Sequence, residues 1–185
     1  LTQFESATAM VANVLKNIGP IDILVNNAGI TRDRACHKMT QEDWDIVIDT
    51  DLNSIFYVTH DVIPSMRERE FGRIINISSI NGQRGQCGQA NYAAAKAGMH
   101  GFTKSLAKEL AKFHVTVNTI SPGYVATEMV AAVPEAIQQQ ILAEIPMKRF
   151  AEPHEVAEVV AFLADDKSAY ITGANIPING GHYML

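Results

Sequence analysis

Cysteine and tryptophan are scarce in this chain of 185 residues, which contains only Cys36, Cys87 and one tryptophan. Two unpatterned cysteines cannot form a disulfide framework, and no Cys-x-x-Cys pair or His/Cys cluster has the spacing of a metal site. The six histidines are scattered along the chain. The sequence therefore predicts no bound metal and a reducing, cytoplasmic environment.

Long apolar runs and blocks of basic residues are also absent. No stretch approaches the roughly 18 apolar residues that cross a bilayer, and no export signal is visible. The 15 basic and 20 acidic residues are interspersed, with a formal net charge of -5. We therefore expect neither a membrane partner nor a nucleic-acid partner.

What the chain does have is a 47% share of hydrophobic residues in alternating strand and helix patterns. Apolar runs at 21–25, 72–79 and 115–120 predict buried strands, with a last strand at 174–178. Helical periodicity predicts a first helix opened by a capping box at Thr2 to Glu5, and further helices at about 40–69, 89–113, 128–144 and 153–164. Pro64 is expected to end or kink the helix at 40–69. This order predicts one α/β domain over 1–185, with a doubly wound parallel sheet in a three-layer α/β/α arrangement.

Residues able to carry chemistry follow the ends of three predicted strands, at 26–29, at Ser79 and at 122–123. The carboxyl ends of parallel strands meet at one edge, where ligands bind. Tyr92 and Lys96 at i and i+4 share a helix face, so the ammonium can stabilise a phenolate while Ser79 holds a carbonyl oxygen. The Tyr-x-x-x-Lys pattern alone is weak and also fits an exposed helical pair.

The order and spacing of Asn26-Asn27-Ala28-Gly29, of Ser79 with Tyr92 and Lys96, of Ser121-Pro122-Gly123 and of Asn179-Gly180-Gly181 resemble the short-chain dehydrogenase/reductase family. The resemblance covers nearly the whole chain and implies a Rossmann-like sheet that lacks its first strands, because the glycine-rich pyrophosphate turn has no counterpart. We expect these residues to be part of a longer enzyme of about 25 kDa. In that enzyme the first strand would cover the apolar edge at 21–25.

The resemblance implies an NAD(P)-dependent oxidoreductase in which Tyr92 transfers the proton and Ser79 holds the oxygen. Lys96 would lower the pKa of Tyr92 and bind the nicotinamide ribose. Asp51 stands where family members usually carry asparagine, so we expect it to join the catalytic set and to reduce turnover by weakening the effect of Lys96. The implied cofactor contacts are Asn27, Ala28, Gly29, Tyr92, Lys96, Pro122, Gly123, Val125 and Thr127.

The loop before Tyr92 resembles that of reductases acting on acetoacetyl-CoA, and next that of reductases acting on 3-oxoacyl groups of acyl-carrier protein. The implied reaction is reduction of acetoacetyl-CoA to (R)-3-hydroxybutyryl-CoA, with NADPH favoured although the selecting residue is not in the sequence. The helical stretch after Thr127 would be a flap over the acyl chain. Substrate contacts are expected from Asp33, Ser79, Gln86, Cys87, Gly88, Gln89, Tyr92, Gly123 and Tyr124.

Three basic residues, Arg32, Arg34 and Arg84, could face either an acidic carrier protein or a CoA phosphate. The resemblance also implies a homotetramer built through the two long helices and through the last helix and strand. An alternative from another class is a catalytically inactive assembly partner, which the missing pyrophosphate turn and Asp51 favour and the intact Ser79, Tyr92 and Lys96 oppose.

Overall fold

The computed structural model describes residues 1–184, apart from the side chain of Met129, and Leu185 lies outside it. Its sheet has four parallel strands in the order β1-β2-β3-β4. The two inner strands are almost wholly buried, as expected for parallel strands with helices on both faces. The strands are β1 (Ile23–Asn26), β2 (Gly72–Ile77), β3 (Val115–Pro122) and β4 (Asn175–Ile178).

Helices connect the strands and cover both faces of the sheet. They are α1 (Phe4–Asn17), α2 (Gln41–Ile48), α3 (Ser54–Arg69), α4 (Asn81–Arg84), α5 (Ala90–Leu110), α6 (Glu128–Ala131), α7 (Glu135–Glu144) and α8 (Pro153–Ala164). One core joins α1, α3 and α5 to the sheet through residues such as Val11, Val62 and Ile74. A second, smaller core places Leu163 of α8 against Ile75 and Ile120. The predicted Rossmann-like α/β fold is confirmed.

Several predicted boundaries are wrong for identifiable reasons. Helix α1 is capped by Gln3 without a side-chain hydrogen bond, so the capping box at Thr2 does not form. Pro64 lies inside α3 without ending it. Proline removes the hydrogen bond to the carbonyl of His60, and both residues are exposed, so water can satisfy that group. The single helix predicted at 128–144 is two helices separated before Pro134.

The segment predicted as one helix at 40–69 contains a π-helical turn at Asp49–Asn53 between α2 and α3. Thr40 caps α2 by a capping box with Asp43. A π-turn inserts an extra residue into the helix and changes the direction in which neighbouring side chains point. Here it turns Asp51 into the interior, where its side chain has no solvent exposure.

Strand β1 forms an outer edge of the described sheet. Its side chains Ile23 and Val25 are 46% and 39% exposed, respectively, although their neighbour Leu24 packs against the first core. The apolar edge predicted from the sequence is therefore present. No helix within residues 1–184 is both long enough and apolar enough to cross a membrane.

Candidate active site

The carboxyl ends of β2 and β3 and the start of α5 enclose the largest cavity described in the chain, with a volume of about 640 Å³. The main chain fixes this edge, because the N–H of Ser78 donates to Ile120 O and that of Ile80 to Pro122 O, both at 2.8 Å. Ser79 lies between these two anchors. Its position in the cavity wall is therefore set by the sheet.

A buried polar chain beneath the cavity ties α5 to the sheet. The amide of Asn26 donates to Asn76 Oδ1 at 2.8 Å, and the amide of Asn76 donates to Thr103 Oγ1 at 2.9 Å. Thr103 in turn shares a hydrogen bond of 2.8 Å with Thr119. Satisfied buried networks of this kind fix the relative position of the elements they join. This chain was not predicted from the sequence, although polar residues inside apolar strand patterns were its signal.

Asn91 fixes the N-terminal end of α5, which carries Tyr92. Its amide nitrogen donates to Arg32 O at 3.1 Å and to Asp43 O at 2.8 Å, while its Oδ1 accepts the N–H of Tyr92 at 2.8 Å. The side chain is fully buried. It thus attaches the first turn of α5 both to α2 and to the loop after β1, a positioning role that was not predicted from the sequence.

Ser79 and Tyr92 meet at the cavity. The hydroxyl oxygen of Ser79 accepts the N–H of Asn81 at 3.1 Å, which leaves its own proton available to a partner in the cavity. Burial raises the pKa of Tyr92 to about 12, and the charges of Asp51 and Asp33 add to this while the hydrogen bond from Ser79 opposes it. The phenol is therefore protonated at neutral pH, which is the state required of a proton donor.

Lys96 and Asp51 form a buried ion pair behind Tyr92. The two side chains are 3% and 0% exposed, and Lys96 Nζ lies 3.3 Å from Asp51 Oδ2. Lys96 also donates to Ile77 O at 3.0 Å, and the N–H of Ile30 donates to Asp51 Oδ1 at 2.9 Å. Burial lowers the pKa of Lys96 and raises that of Asp51, because both charged forms lose water.

This pair bears on the expected effect of Lys96 on the pKa of Tyr92, which stays a prediction. The ammonium lies 5.4 Å from the centre of the phenol ring, but the carboxylate of Asp51 is closer to the ammonium than the ring is. Burial is the largest cause of the raised pKa of Tyr92, and the carboxylate of Asp51 adds to it. The geometry of Oδ2 toward Nζ is that of an ion pair rather than of a hydrogen bond, so Oδ2 has no hydrogen-bond donor.

Gly29 lies against this ion pair. A Cβ at this position would be 2.9 Å from Asp51 Oδ2 and 3.1 Å from Lys96 Nζ. Only glycine therefore lets the loop after β1 pass so close to the charges. Its predicted neighbours Asn27 and Ala28 instead line a separate cavity of about 170 Å³ between β1 and α3.

All the other predicted cofactor and substrate residues line the large cavity except Gly88, which lies in the loop beside it. Gly88 holds the adjacent loop, since its carbonyl accepts the N–H of Arg34 at 2.7 Å. Gly123 allows the end of β3 to pass Asn179, because a Cβ there would lie 2.9 Å from its Cα. The lining residues are Asp33, Ser79, Gln86, Cys87, Gln89, Tyr92, Pro122, Gly123, Tyr124, Val125 and Thr127.

A hydrogen-bonded chain crosses the cavity wall from Asp33. Gln89 Nε2 donates to Asp33 Oδ2 at 2.8 Å, and its Oε1 accepts the amide of Asn81 at 2.9 Å. A carboxylate only accepts, so Asp33 fixes the orientation of both amides. Of these three, Asn81 was not predicted. It connects the chain to Ser79 through its main-chain N–H.

Two of the three predicted basic residues are engaged near the cavity. Arg34 forms an ion pair with Asp43 at 3.1 Å, and Arg84 contacts His182 and Gln86. Arg84 is part of the cavity wall. Within residues 1–184, no cluster of three or more His, Cys, Asp or Glu side chains could hold a metal ion.

Comparisons with known proteins agree with this arrangement. A family model described as enoyl-(acyl carrier protein) reductase matches residues 1–183. The whole chain is 58% identical to an acetoacetyl-CoA reductase of Allochromatium vinosum and covers 75% of that protein. It is 50% identical to an acetoacetyl-CoA reductase of Cupriavidus necator, again over 75% of the relative. A 3-oxoacyl-[acyl-carrier-protein] reductase of Vibrio cholerae is 46% identical and covered over 76% of its length. The chain belongs to the short-chain dehydrogenase/reductase family of NAD(P)-dependent oxidoreductases.

Proposed function

We propose that this protein reduces acetoacetyl-CoA to (R)-3-hydroxybutyryl-CoA with NADPH, as a cytoplasmic enzyme. The observation that carries the proposal is the placement of Ser79 and Tyr92 in the wall of one cavity of about 640 Å³, with Lys96 directly behind Tyr92. The high identity to proteins named acetoacetyl-CoA reductase supports the choice of substrate. Asp33, Gln86, Cys87, Gln89 and Tyr124 line the side of the cavity proposed for the thioester.

The residues at this edge fit the nicotinamide half of the cofactor. Lys96 carries three N–H donors and uses one on Ile77 O, so donors remain for ribose hydroxyls. Gly29 brings the loop after β1 against Lys96, and Gly123 lets the end of β3 pass close to Asn179. The remaining proposed cofactor contacts are Asn27, Ala28, Pro122, Val125 and Thr127.

A dinucleotide held by these residues would supply the hydride for the C3 carbon of the substrate. Tyr92 gives its phenolic proton to the C3 oxygen, and Ser79 donates a hydrogen bond to the same oxygen. Because the Asn81 N–H occupies Ser79 Oγ as an acceptor, the hydroxyl proton is the group left to face the substrate. Lys96 holds positive charge behind the phenol as it becomes phenolate, to an extent limited by Asp51.

The test is a spectrophotometric assay of NADPH oxidation by protein expressed from its full natural reading frame. We expect turnover with acetoacetyl-CoA and a loss of at least about 100-fold in kcat for Tyr92→Phe, which removes the hydroxyl group that carries the transferred proton. Tyr57→Phe, a change of the same kind on α3, is the control and should leave kcat unchanged. Failure to bind NADPH would instead support an inactive assembly partner.

A second candidate is reduction of 3-oxoacyl groups on acyl-carrier protein. The observations that favour it are the related reductase of Vibrio cholerae and the exposed Arg34 beside the loop that borders the cavity. Parallel measurements of kcat/KM with acetoacetyl-CoA and with the acetoacetyl carrier protein decide between the two. A higher kcat/KM for the carrier protein would overturn our first choice.

A homotetramer is also part of the proposal. Phe56 on α3 and Phe162 on α8 are 48% and 52% exposed, and these helices are among the elements that the family resemblance assigns to subunit contacts. Exposed aromatic side chains of this kind are typical of protein interfaces. Light scattering should give four times the mass of one chain, whereas the mass of one chain alone would contradict the tetramer.

A further inference from the structure

A cluster of charged and polar side chains at the rim of the large cavity joins three separate segments. Arg84 at the end of α4 lies between Gln86, His182 near the C-terminus and Glu144 at the end of α7. Arg84 Nη1 is 2.8 Å from His182 Nε2 and 4.0 Å from Glu144 Oε2, while Nη2 donates to Gln86 Oε1 at 3.2 Å. Arg84, Gln86 and Glu144 all line the cavity.

The contact between Arg84 and Gln86 determines which end of the glutamine amide faces the substrate. Gln86 is exposed, so an unattached amide would rotate and present oxygen or nitrogen equally. An arginine can only donate, so it holds Oε1 and leaves Nε2 as the group able to bond to a carbonyl in the cavity. A thioester or pantetheine carbonyl needs such a donor.

We propose that Arg84 is a positioning residue that orients the Gln86 amide toward the carbonyl groups of the thioester arm, and that His182 holds Arg84 in place. This inference rests on the proposed function, because it assumes a thioester substrate. It also assigns Arg84 a task different from binding an acidic carrier or a CoA phosphate. Only 22% of its side chain is exposed, and both of its terminal nitrogens are engaged.

His182 can hold Arg84 in only one protonation state. Its Nε2 lies 2.8 Å from a donor, Arg84 Nη1, and 3.2 Å from an acceptor, Glu144 Oε2. Neutral His182 with its proton on Nδ1 accepts from Arg84. Protonated His182 carries N–H groups on both ring nitrogens and can bond only to Glu144, so Arg84 loses its partner. The titratable groups that contact the ring are Arg84, Glu144 and Tyr124, whose ring centre is 5.9 Å away.

The first experiment compares KM for acetoacetyl-CoA in four forms of the full-length enzyme. These are the wild type, Arg84→Met, Gln86→Leu and the double variant. Each single change should raise KM about 3- to 10-fold with kcat nearly constant, as expected for one oriented neutral hydrogen bond. The double variant should be no worse than Gln86→Leu, because Arg84 acts through Gln86. The proposal would be overturned if the rise in KM of the double variant equalled the product of the two single rises, or if Arg84→Met left KM unchanged.

Two controls separate this result from other causes. Arg67→Met removes an exposed arginine near Phe113, away from the cavity, and should not change KM. Ethyl acetoacetate has the reacting group but no pantetheine arm, so Arg84→Met should raise its KM less than that of acetoacetyl-CoA. If the wild type reduces neither substrate, the proposed function fails. If it reduces both and Arg84→Met affects them equally, only the present inference fails.

The second experiment tests the link to His182 by changing the acceptor that faces Arg84. His182→Gln can offer Arg84 an amide oxygen and should keep KM for acetoacetyl-CoA near the wild-type value, whereas His182→Leu offers no acceptor and should raise KM toward that of Arg84→Met. An unchanged KM in His182→Leu would show that His182 does not hold Arg84.

Discussion

Replacing Asp51 with asparagine removes one buried negative charge from the neighbourhood of Tyr92 without changing the size of the side chain. The contacts of Lys96 with Asp51 and with the tyrosine ring place the carboxylate within about 9 Å of the ring centre. At an effective dielectric constant of ~20, a unit charge at that distance contributes about 1 to 2 kcal/mol, or about one pKa unit. Asp51→Asn should therefore lower the pKa of Tyr92, which burial and the charge of Asp51 together raise to about 12.

The same substitution also changes the contacts of Lys96. Asparagine can keep Oδ1 as the acceptor of the Ile30 N–H, which places its Nδ2 where Oδ2 now lies. Two donors then face each other across 3.3 Å, so Lys96 loses its ionic partner and remains held by Ile77 O. The unopposed ammonium acts on the phenol in the same direction as the loss of the carboxylate.

The assay measures kcat in both directions as a function of pH. In the oxidation of 3-hydroxybutyryl-CoA, phenolate is the base, so the rate rises as pH approaches the pKa of Tyr92. A lower pKa moves this rise to lower pH, by about one unit in Asp51→Asn, and should increase kcat for reduction at neutral pH by about 3- to 10-fold.

The control for this prediction is Asp49→Asn, in the same π-turn. The carboxylate of Asp49 accepts a hydrogen bond from the Asn53 amide at 2.7 Å, within the same turn. Asp49→Asn therefore removes an acidic group close to Asp51 in sequence but leaves the Asp51–Lys96 pair unchanged. It should leave the profile unchanged. If Asp51→Asn gives the wild-type rate and the wild-type pH profile, the carboxylate does not set the acidity of Tyr92 and the reasoning fails.

Glycine positions give two more predictions. Gly29→Ala should lower kcat at least about tenfold, because its Cβ would press against Asp51 and Lys96, and assays of the purified variant check this. Gly82→Ala should lower the melting temperature, since the Cβ would lie 2.8 Å from the main chain of Lys96. Gly101→Ala meets no atom within 4 Å inside α5 and should stabilise the fold by about 0.5 to 1 kcal/mol. Equal melting temperatures for the last two variants would show that the close approach at Gly82 does not require glycine.

The order of strands and helices could be predicted from the sequence because buried parallel strands are continuous apolar runs with breakers at both ends. The run at 115–120 and the helix at 153–164 correspond closely to β3 and α8. The π-turn at Asp49–Asn53 could not be predicted, because its residues fit an ordinary helical pattern. Such a turn is selected by what its side chains meet in the folded chain, and Asp51 meets Lys96 from another helix.

Strand ends identified the region of the site, because carboxyl ends of neighbouring parallel strands must lie together. What remained hidden were contacts between residues far apart in sequence. The side chain of Asn91 reaches Asp43, 48 positions away, and Arg84 reaches His182, 98 positions away. The residues next to Asn91 and His182 in the sequence form no pattern that predicts these distant partners. Their roles follow only from the three-dimensional packing.

The Asp51–Lys96 pair shows why residue type alone does not fix a catalytic role. From the sequence, Lys96 is a fixed positive charge that should make Tyr92 more acidic. In the fold it is 3% exposed and faces a carboxylate with no solvent exposure, so the two charges stabilise each other and the carboxylate opposes the effect of the ammonium on the phenol. Burial is the largest cause of the raised pKa of Tyr92. Replacing one carboxylate oxygen of Asp51 by an amide nitrogen would remove the negative charge, and the positive charge of Lys96 would then lower this pKa.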